Sequence, residues 1–210
     1  GIKFMGNPNN LTGLPRPQAY YYYPITKENK NLKNLEVSQC YFIAEKNSAP
    51  IQGGIYVNGP NTHIDRCVFY NCRNAILLFS SAEGFSITHC IIYGAYESAI
   101  WMGPVDSAFR FEGNIVTKCN FFWVRPSKIS PRYQFENSMI SENNHYLGTY
   151  GNGENLVELN DYKNVMEKNI IKTGSVNLVE MKTETLPHDF LQVLPGSPGS
   201  SSGAGIFNKK

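Results

Sequence analysis

Short runs of alternating apolar and polar residues recur along the chain, each closing on a small residue. Phe85-Ser86-Ile87-Thr88, Phe109-Arg110-Phe111-Glu112 and Tyr133-Gln134-Phe135-Glu136 all have period two, the pattern of a half-buried strand. A hexapeptide built on this pattern returns six times. Its copies are Val37-Ser38-Gln39-Cys40-Tyr41-Phe42, Ile64-Asp65-Arg66-Cys67-Val68-Phe69, Ile87-Thr88-His89-Cys90-Ile91-Ile92, Phe111-Glu112-Gly113-Asn114-Ile115-Val116, Phe135-Glu136-Asn137-Ser138-Met139-Ile140 and Met166-Glu167-Lys168-Asn169-Ile170-Ile171. Their fourth positions, Cys40, Cys67, Cys90, Asn114, Ser138 and Asn169, stand 27, 23, 24, 24 and 31 residues apart. A repeat of that length built from short strands and turns is the signature of a solenoid. The 3.6-residue periodicity that helical repeats need is missing.

Each unit reads as strand, turn, strand, turn. The fourth position forms a ladder of small residues able to hydrogen-bond the turn backbone. The second strand is Gly54-Ile55-Tyr56-Val57, Ala75-Ile76-Leu77-Leu78, Ala99-Ile100-Trp101-Met102 and Phe122-Trp123-Val124 in successive units, with turn clusters such as Asn71-Cys72-Arg73-Asn74 between. Over roughly residues 35–180 this chain resembles the pectin-lyase-like right-handed parallel β-helix proteins. The resemblance implies an all-β, single-stranded right-handed parallel β-helix solenoid of about six to seven coils, its hand included.

The repeat divides the chain into an irregular arm at 1–33, a β-helix at 34–181 and a loop-rich tail at 182–210. The arm, with four prolines and the run Tyr20-Tyr21-Tyr22-Tyr23, is suited to cap the open end of the stack and hide an unpaired strand edge. The tail's Leu194-Pro195-Gly196-Ser197-Pro198-Gly199 and the Ser/Gly tract to Gly205 resemble the endings of secreted bacterial β-helix proteins, those of Bacteroidetes among them. That likeness implies a natural C-terminus and an extracellular, periplasmic or cell-surface location. A chain opening on Gly1 fits a removed leader or a piece of a longer protein.

Composition narrows the partners. The 210 residues carry a formal net charge of +2 with no dense Lys/Arg tract, which argues against nucleic acid. No apolar run approaches the length of a membrane span, about 18 residues. Five cysteines are present, and three share the ladder position. Side chains stacked on coils about 4.8 Å apart point the same way, whereas a disulfide needs converging Cβ atoms, so they read as small buried core thiols.

Candidate chemistry lies on the outward rows. Two places before the ladder stand Ser38, Asp65, Thr88, Glu112, Glu136 and Glu167; four places before stand Glu36, His63, Ser86, Arg110, Gln134 and Val165. These rows make a polar face with His63 beside Asp65, a candidate substrate contact, and Arg110 beside Glu112. The likeness to β-helix polysaccharide lyases implies carboxylates that bind Ca²⁺ and a Lys or Arg that removes the proton alpha to a uronate carboxyl. On this reading Arg110, Glu112 and Glu136 are catalytic candidates, with Glu112 and Glu136 as oxygen ligands to one Ca²⁺. An ordinary solvated sheet would carry the same residue types. A polygalacturonase-type hydrolase would require an Asp-Asp pair and a Gly-His-Gly, and neither occurs; zinc-ligand spacings are missing too.

On the second strand Tyr56, Trp101 and Trp123, with Leu77 in the series, are expected to face outward as a row that could stack on pyranose rings. Directly after the ladder, Tyr41, Val68, Ile91, Ile115, Met139 and Ile170 should also turn outward, leaving an apolar stripe too large to face water. A bend that buries both neighbours, the arm 1–33, or another domain or a homo-oligomer partner could cover it. The function classes left are a polysaccharide-acting protein related to the Ca²⁺-dependent uronate lyases, a non-catalytic glycan-binding module forming the C-terminal part of a longer protein, and a surface or adhesin fragment that assembles through the stripe.

Overall fold

A computed structural model describes residues 1–6, 23–44, 53–80, 83–103, 109–125, 133–150, 155–160, 165–182 and 185–206. Most of the proposed arm, including Tyr20–Tyr22, lies outside these residues. Strands β1 (Lys3–Met5) and β2 (Ile25–Lys27) open the stack. The next four triplets are β3 (Leu35–Ser38), β4 (Tyr41–Ile43), β5 (Ile55–Asn58); β6 (Thr62–Asp65), β7 (Val68–Tyr70), β8 (Asn74–Ser80); β9 (Ser86–Thr88), β10 (Ile91–Tyr93), β11 (Ser98–Met102); and β12 (Arg110–Glu112), β13 (Ile115–Thr117), β14 (Phe121–Val124). A last triplet, β15 (Tyr133–Glu136), β16 (Met139–Ser141) and β17 (His145–Tyr150), precedes β18 (Leu156–Glu158) and β19 (Val165–Lys168).

Equivalent strands stack in parallel into three sheets. Sheet A runs β1-β4-β7-β10-β13-β16, sheet B runs β18-β17-β14-β11-β8-β5-β2, and sheet C runs β19-β15-β12-β9-β6-β3. Each coil passes from C through A to B. The molecule is therefore a three-faced parallel β-helix; complete coils run from β3 to β17, fewer than the six to seven expected. Among the described strands only β18 runs antiparallel, against β17. No helix among the described residues is long and apolar enough to cross a membrane.

The coil has three strands where the sequence suggested two, because each hexapeptide bends in its middle. Gln39, Arg66, His89, Gly113 and Asn137, immediately before the ladder residue, all have φ between 47° and 68°. This left-handed residue turns the chain from sheet C to sheet A, so one hexapeptide feeds two sheets. Inside the bend Cys67, Cys90, Asn114 and Ser138 are buried. Asn114 ties three coils together: its Oδ1 accepts from the Cys90 N–H at 2.8 Å, its Nδ2 donates to Ile87 O at 2.9 Å, and its N–H donates to Ser138 Oγ at 3.0 Å. All five cysteines are free and buried, and burial pushes the Cys119 thiol up to about 12.

The interior is a column of stacked apolar rows. Phe4, Phe42 and Phe69 lie ring on ring at 5.1 and 4.8 Å. Phe111, Phe122 and Phe135 pack edge to face at 5.1 to 5.7 Å, the preferred aromatic geometry.

Two expectations of register are corrected. In the sixth unit Glu136 pairs with Lys168 and Phe135 with Glu167, and Met139 bridges to Ile171. The ladder residue there is Ile170, not Asn169, and the outward row ends in Lys168. Glu167 takes an inward position over the end of the core. There it meets the Tyr146 hydroxyl and, at 2.6 Å, Lys172 Nζ, a polar lid of the kind terminal repeats need. The second correction concerns β14 and is described with the aromatic row below.

The stripe does face outward. Tyr41, Val68, Ile91, Ile115 and Met139 are buried against Phe190, Leu191, Ala204 and Ile206, with Val176, Leu178, Leu186 and Val193 around them. The cover among the described residues is one that the sequence did not suggest: the segment around Phe190, Leu191 and Ile206 lies across sheet A. It is fixed by the Tyr41 hydroxyl, within 3.3 Å of His188 O and 3.2 Å of Phe190 O, and by the Gly205 N–H donating to His89 O at 2.9 Å. From Tyr41 to Met139 the stripe is therefore already covered.

Replacing Asn114 by Ala leaves the buried Cys90 N–H without its partner, at ~1–3 kcal/mol, and removes one of the donors to the Ile87 carbonyl, at ~1 kcal/mol. Urea denaturation should show a loss of about 2–4 kcal/mol for Asn114→Ala. Phe190→Ala should cost about 3 kcal/mol in the same assay and increase binding of a hydrophobic dye, since it uncovers part of sheet A.

Candidate carbohydrate-binding faces

Sheet C carries the polar rows. Arg110 and Gln134, Glu112 and Glu136 sit side by side on β12 and β15, so the structure brings the three catalytic candidates onto one patch. Their charges are already engaged. The Arg110 guanidinium donates to Glu112 Oε2, at 2.9 Å from Nε and closely from Nη2. This bond is the main reason why the Glu112 carboxyl lies below the usual carboxylate range. Glu136 accepts from the Gln134 amide, and its next neighbour in the row is Lys168. Ca²⁺ takes about six to eight oxygens. Two carboxylates set between Arg110 and Lys168 do not fit it, and among the described residues no three His, Cys, Asp or Glu side chains gather around a common point.

His63 and Asp65 are adjacent outward residues of β6 but serve different neighbours. His63 Nδ1 meets Ser86 Oγ at 2.9 Å. Asp65 accepts from Thr88 Oγ1 at 2.7 Å, lies 3.1 Å from His89 Nδ1 and 3.5 Å from Arg66 Nε.

Sheet B carries the aromatic row, with a different membership from the one expected. Trp123 does not face outward: it pairs with Ile100, is fully buried, and packs against Phe135. The reason is one residue of corner length. Four residues, 94–97, join β10 to β11, whereas three, 118–120, join β13 to β14. A shift of one residue reverses every side chain of a strand, so Val124 stands beside Trp101. Tyr56 and Trp101 do lie on the outer face, half-buried.

Phe79 and Tyr150 complete the row, with Tyr23 at its other end. Ring centroids follow one another at 5.9 Å from Tyr23 to Tyr56, 6.2 Å to Phe79, 6.2 Å to Trp101 and 6.5 Å to Tyr150. Phe79 and Trp101 are nearly parallel, at 10°, and Phe79 is 50% exposed although nothing polar tethers its ring. These two residues were reachable from sequence through strand length. β8 runs seven residues and β17 six, each carrying an aromatic beyond the shorter strands.

A polar knot fixes one border of the row. Trp101 Nε1–H donates to Tyr150 Oη at 2.9 Å, and the Tyr150 hydroxyl lies 3.5 Å from Glu97 Oε1. Glu97 also pairs with the Arg73 guanidinium and accepts from Asn74 Nδ2 at 3.3 Å, while the Ser98 hydroxyl donates to Asn74 Oδ1 at 2.6 Å. Burial pushes the Tyr150 phenol up, so it stays protonated at neutral pH. Trp101 is thereby held by its indole N–H while its carbon surface remains at the face.

Parallel coils, a small-residue corner ladder and three stacked sheets are the features that decide the family, and the family model for the right-handed β-helix region matches residues 53–188. The chain belongs to that family. No curated protein and no solved structure matches it. Tyr56 and Trp101 share one register with Leu77, Val124 and Gly148; Phe79 and Tyr150 stand two residues further along β8 and β17, and their rings fill the gaps that the equal-register row leaves.

The Arg110–Glu112 pair gives a pH test. A lowered carboxyl pKa stabilises the folded chain above the ordinary carboxylate range, and the contribution fades as pH falls through the depressed value. Arg110→Gln should return the Glu112 midpoint towards its ordinary value, about 4.3, in a carboxyl ¹³C NMR titration. An unmoved midpoint would show that the pair does not form in solution.

Proposed function

We propose that this β-helix protein binds polysaccharide, with the glycan lying along the aromatic row of sheet B. The observation that carries the reading is the continuous series Tyr56, Phe79, Trp101 and Tyr150, with centroids 6.2 to 6.5 Å apart. Sugar rings offer apolar C–H faces that pack on aromatic surface. A row of rings running along the solenoid axis suits an extended polymer better than a compact ligand. Beside the rings, the partly exposed Arg73 and Glu97 side chains place charged polar groups at the border of the row, as carbohydrate sites combine a few placed polar groups with apolar surface. A polysaccharide ligand would put the chain at a cell surface or outside the cell.

Binding is favoured over uronate elimination because Arg110, the candidate base, is held in an ion pair with Glu112, and Glu136 stands beside Lys168 in its row. The assay is gel electrophoresis through xylan, glucomannan, alginate or polygalacturonate. Retarded migration is expected in at least one, and Trp101→Ala should weaken it about tenfold, ~1.4 kcal/mol. Unretarded migration in all four would overturn the reading. Ultraviolet-absorbing unsaturated product that disappears in Arg110→Gln would restore the lyase.

A further inference from the structure

A second site lies away from sheet B, at the corner between sheets C and A. The left-handed corner residues Arg66, His89, Gly113 and Asn137 follow one another up the stack. Gly113 lies in the lining of a cleft. A Cβ there would stand 2.6 Å from His89 Cδ2, 3.0 Å from His89 Nε2 and 2.8 Å from Ser202 O, so only glycine lets the His89 ring and the tail pack this closely around the corner. His89 forms one wall and Asn137 with Asn169 the other. Glu112 closes the sheet C side, and the 3-10 turn Ser200–Ser202 of the tail roofs it. The volume is about 490 Å³, within the range of small-ligand sites, about 300–1,000 Å³.

The polar groups here are pre-oriented. His89 Nδ1–H donates to Asp65 Oδ1 at 3.1 Å, and Asp65 is itself held by Thr88 Oγ1 at 2.7 Å. That bond leaves Nε2, on the other side of the ring, as an acceptor at the cleft wall. Asn169 Nδ2 donates to Asn137 Oδ1 at 2.9 Å, which leaves the Asn169 carbonyl as a second acceptor. The Glu112 carboxylate is a third, kept ionised by Arg110. Ile171, 36% exposed, adds an apolar patch. Three acceptors and one apolar patch match the hydroxyl donors and C–H face of a sugar. A carboxylate or sulfate group would be repelled by Glu112.

We propose that this corner cleft is a binding site for a short neutral saccharide, separate from the aromatic row and excluding uronates. It rests on its own residues and stands or falls independently of the sheet B reading. The test is an NMR titration of the whole chain with cellobiose, maltose, xylobiose and mannobiose, and with digalacturonic acid. At least one neutral disaccharide should shift the His89 and Asn137 signals to saturation, and the acid should not. Ser201→Trp, an exposed tail residue whose new ring would fill the cleft, should abolish those shifts. Glu112→Gln should weaken the neutral sugar about tenfold and admit the acid. A silent His89 with all four neutral probes, or shifts that survive Ser201→Trp, would overturn the proposal. Shifts confined to Phe79 and Trp101 would overturn the cleft and leave the row of sheet B standing. Silence at both places would sink both.

Discussion

At each corner between sheets C and A the chain sets one residue in the left-handed region, and the stack is built on the bonds that residue makes. The N–H groups of Gln39, Arg66, His89, Gly113 and Asn137 donate to the carbonyls of Asp65, Thr88, Glu112, Glu136 and Lys168, one coil further on. Two places later Val68, Ile91, Ile115 and Met139 donate back to Cys40, Cys67, Cys90 and Asn114. Forward and backward bonds alternate, so every coil is stapled to both neighbours at the place where it bends. A left-handed non-glycine residue costs roughly 1–2 kcal/mol. That cost is tolerated because an open corner would strand buried backbone groups, at ~1–3 kcal/mol each. The same geometry places a small residue, Cys40, Cys67, Cys90, Asn114 or Ser138, inside the bend of each complete coil, while Ile170 takes the place at the end of the stack.

The three faces inherit different fates from this scaffold. Sheet A alternates apolar inside with apolar outside, and the tail takes the outer set. Sheet C alternates apolar with polar and meets solvent through paired charges such as Arg110 and Glu112. Sheet B stays partly apolar on its outer face and carries the aromatic row. The faces thus separate by the chemistry of one outward position per strand, while the interior rows of Phe, Ile and Val are much alike on all three.

The repeat, the ladder and the outward stripe were legible in the sequence because they depend on residue type at fixed spacing. Corner length was not. The one-residue difference before β14 turned Trp123 inward and left Phe79 and Tyr150 to take up the row. The sixth unit misled for a related reason. Its Glu-x-Asn sequence imitates the earlier hexapeptides, but Glu167 closes the end of the core where they bury phenylalanine or isoleucine. The cover of sheet A was hidden because Phe190, Leu191 and Ile206 have no periodicity of their own; only the surface awaiting them does. At the corner cleft the His89 ring and Ser202 O close over the bare backbone of Gly113, a contact that no pattern of hydrophobic and polar residues can announce.

The position of the covering segment also sets an order of events in biosynthesis. Tyr41, Val68, Ile91, Ile115 and Met139 all leave the ribosome before Phe190, Leu191 and Ile206. Coils can close as they emerge, because each contacts only its neighbours. From the first coil until residues 190–206 are made, the nascent solenoid therefore exposes a growing greasy ridge, with its seal still unsynthesised. Such exposure invites association between growing chains, and the interval ends only when Phe190, Leu191 and Ile206 have emerged and packed.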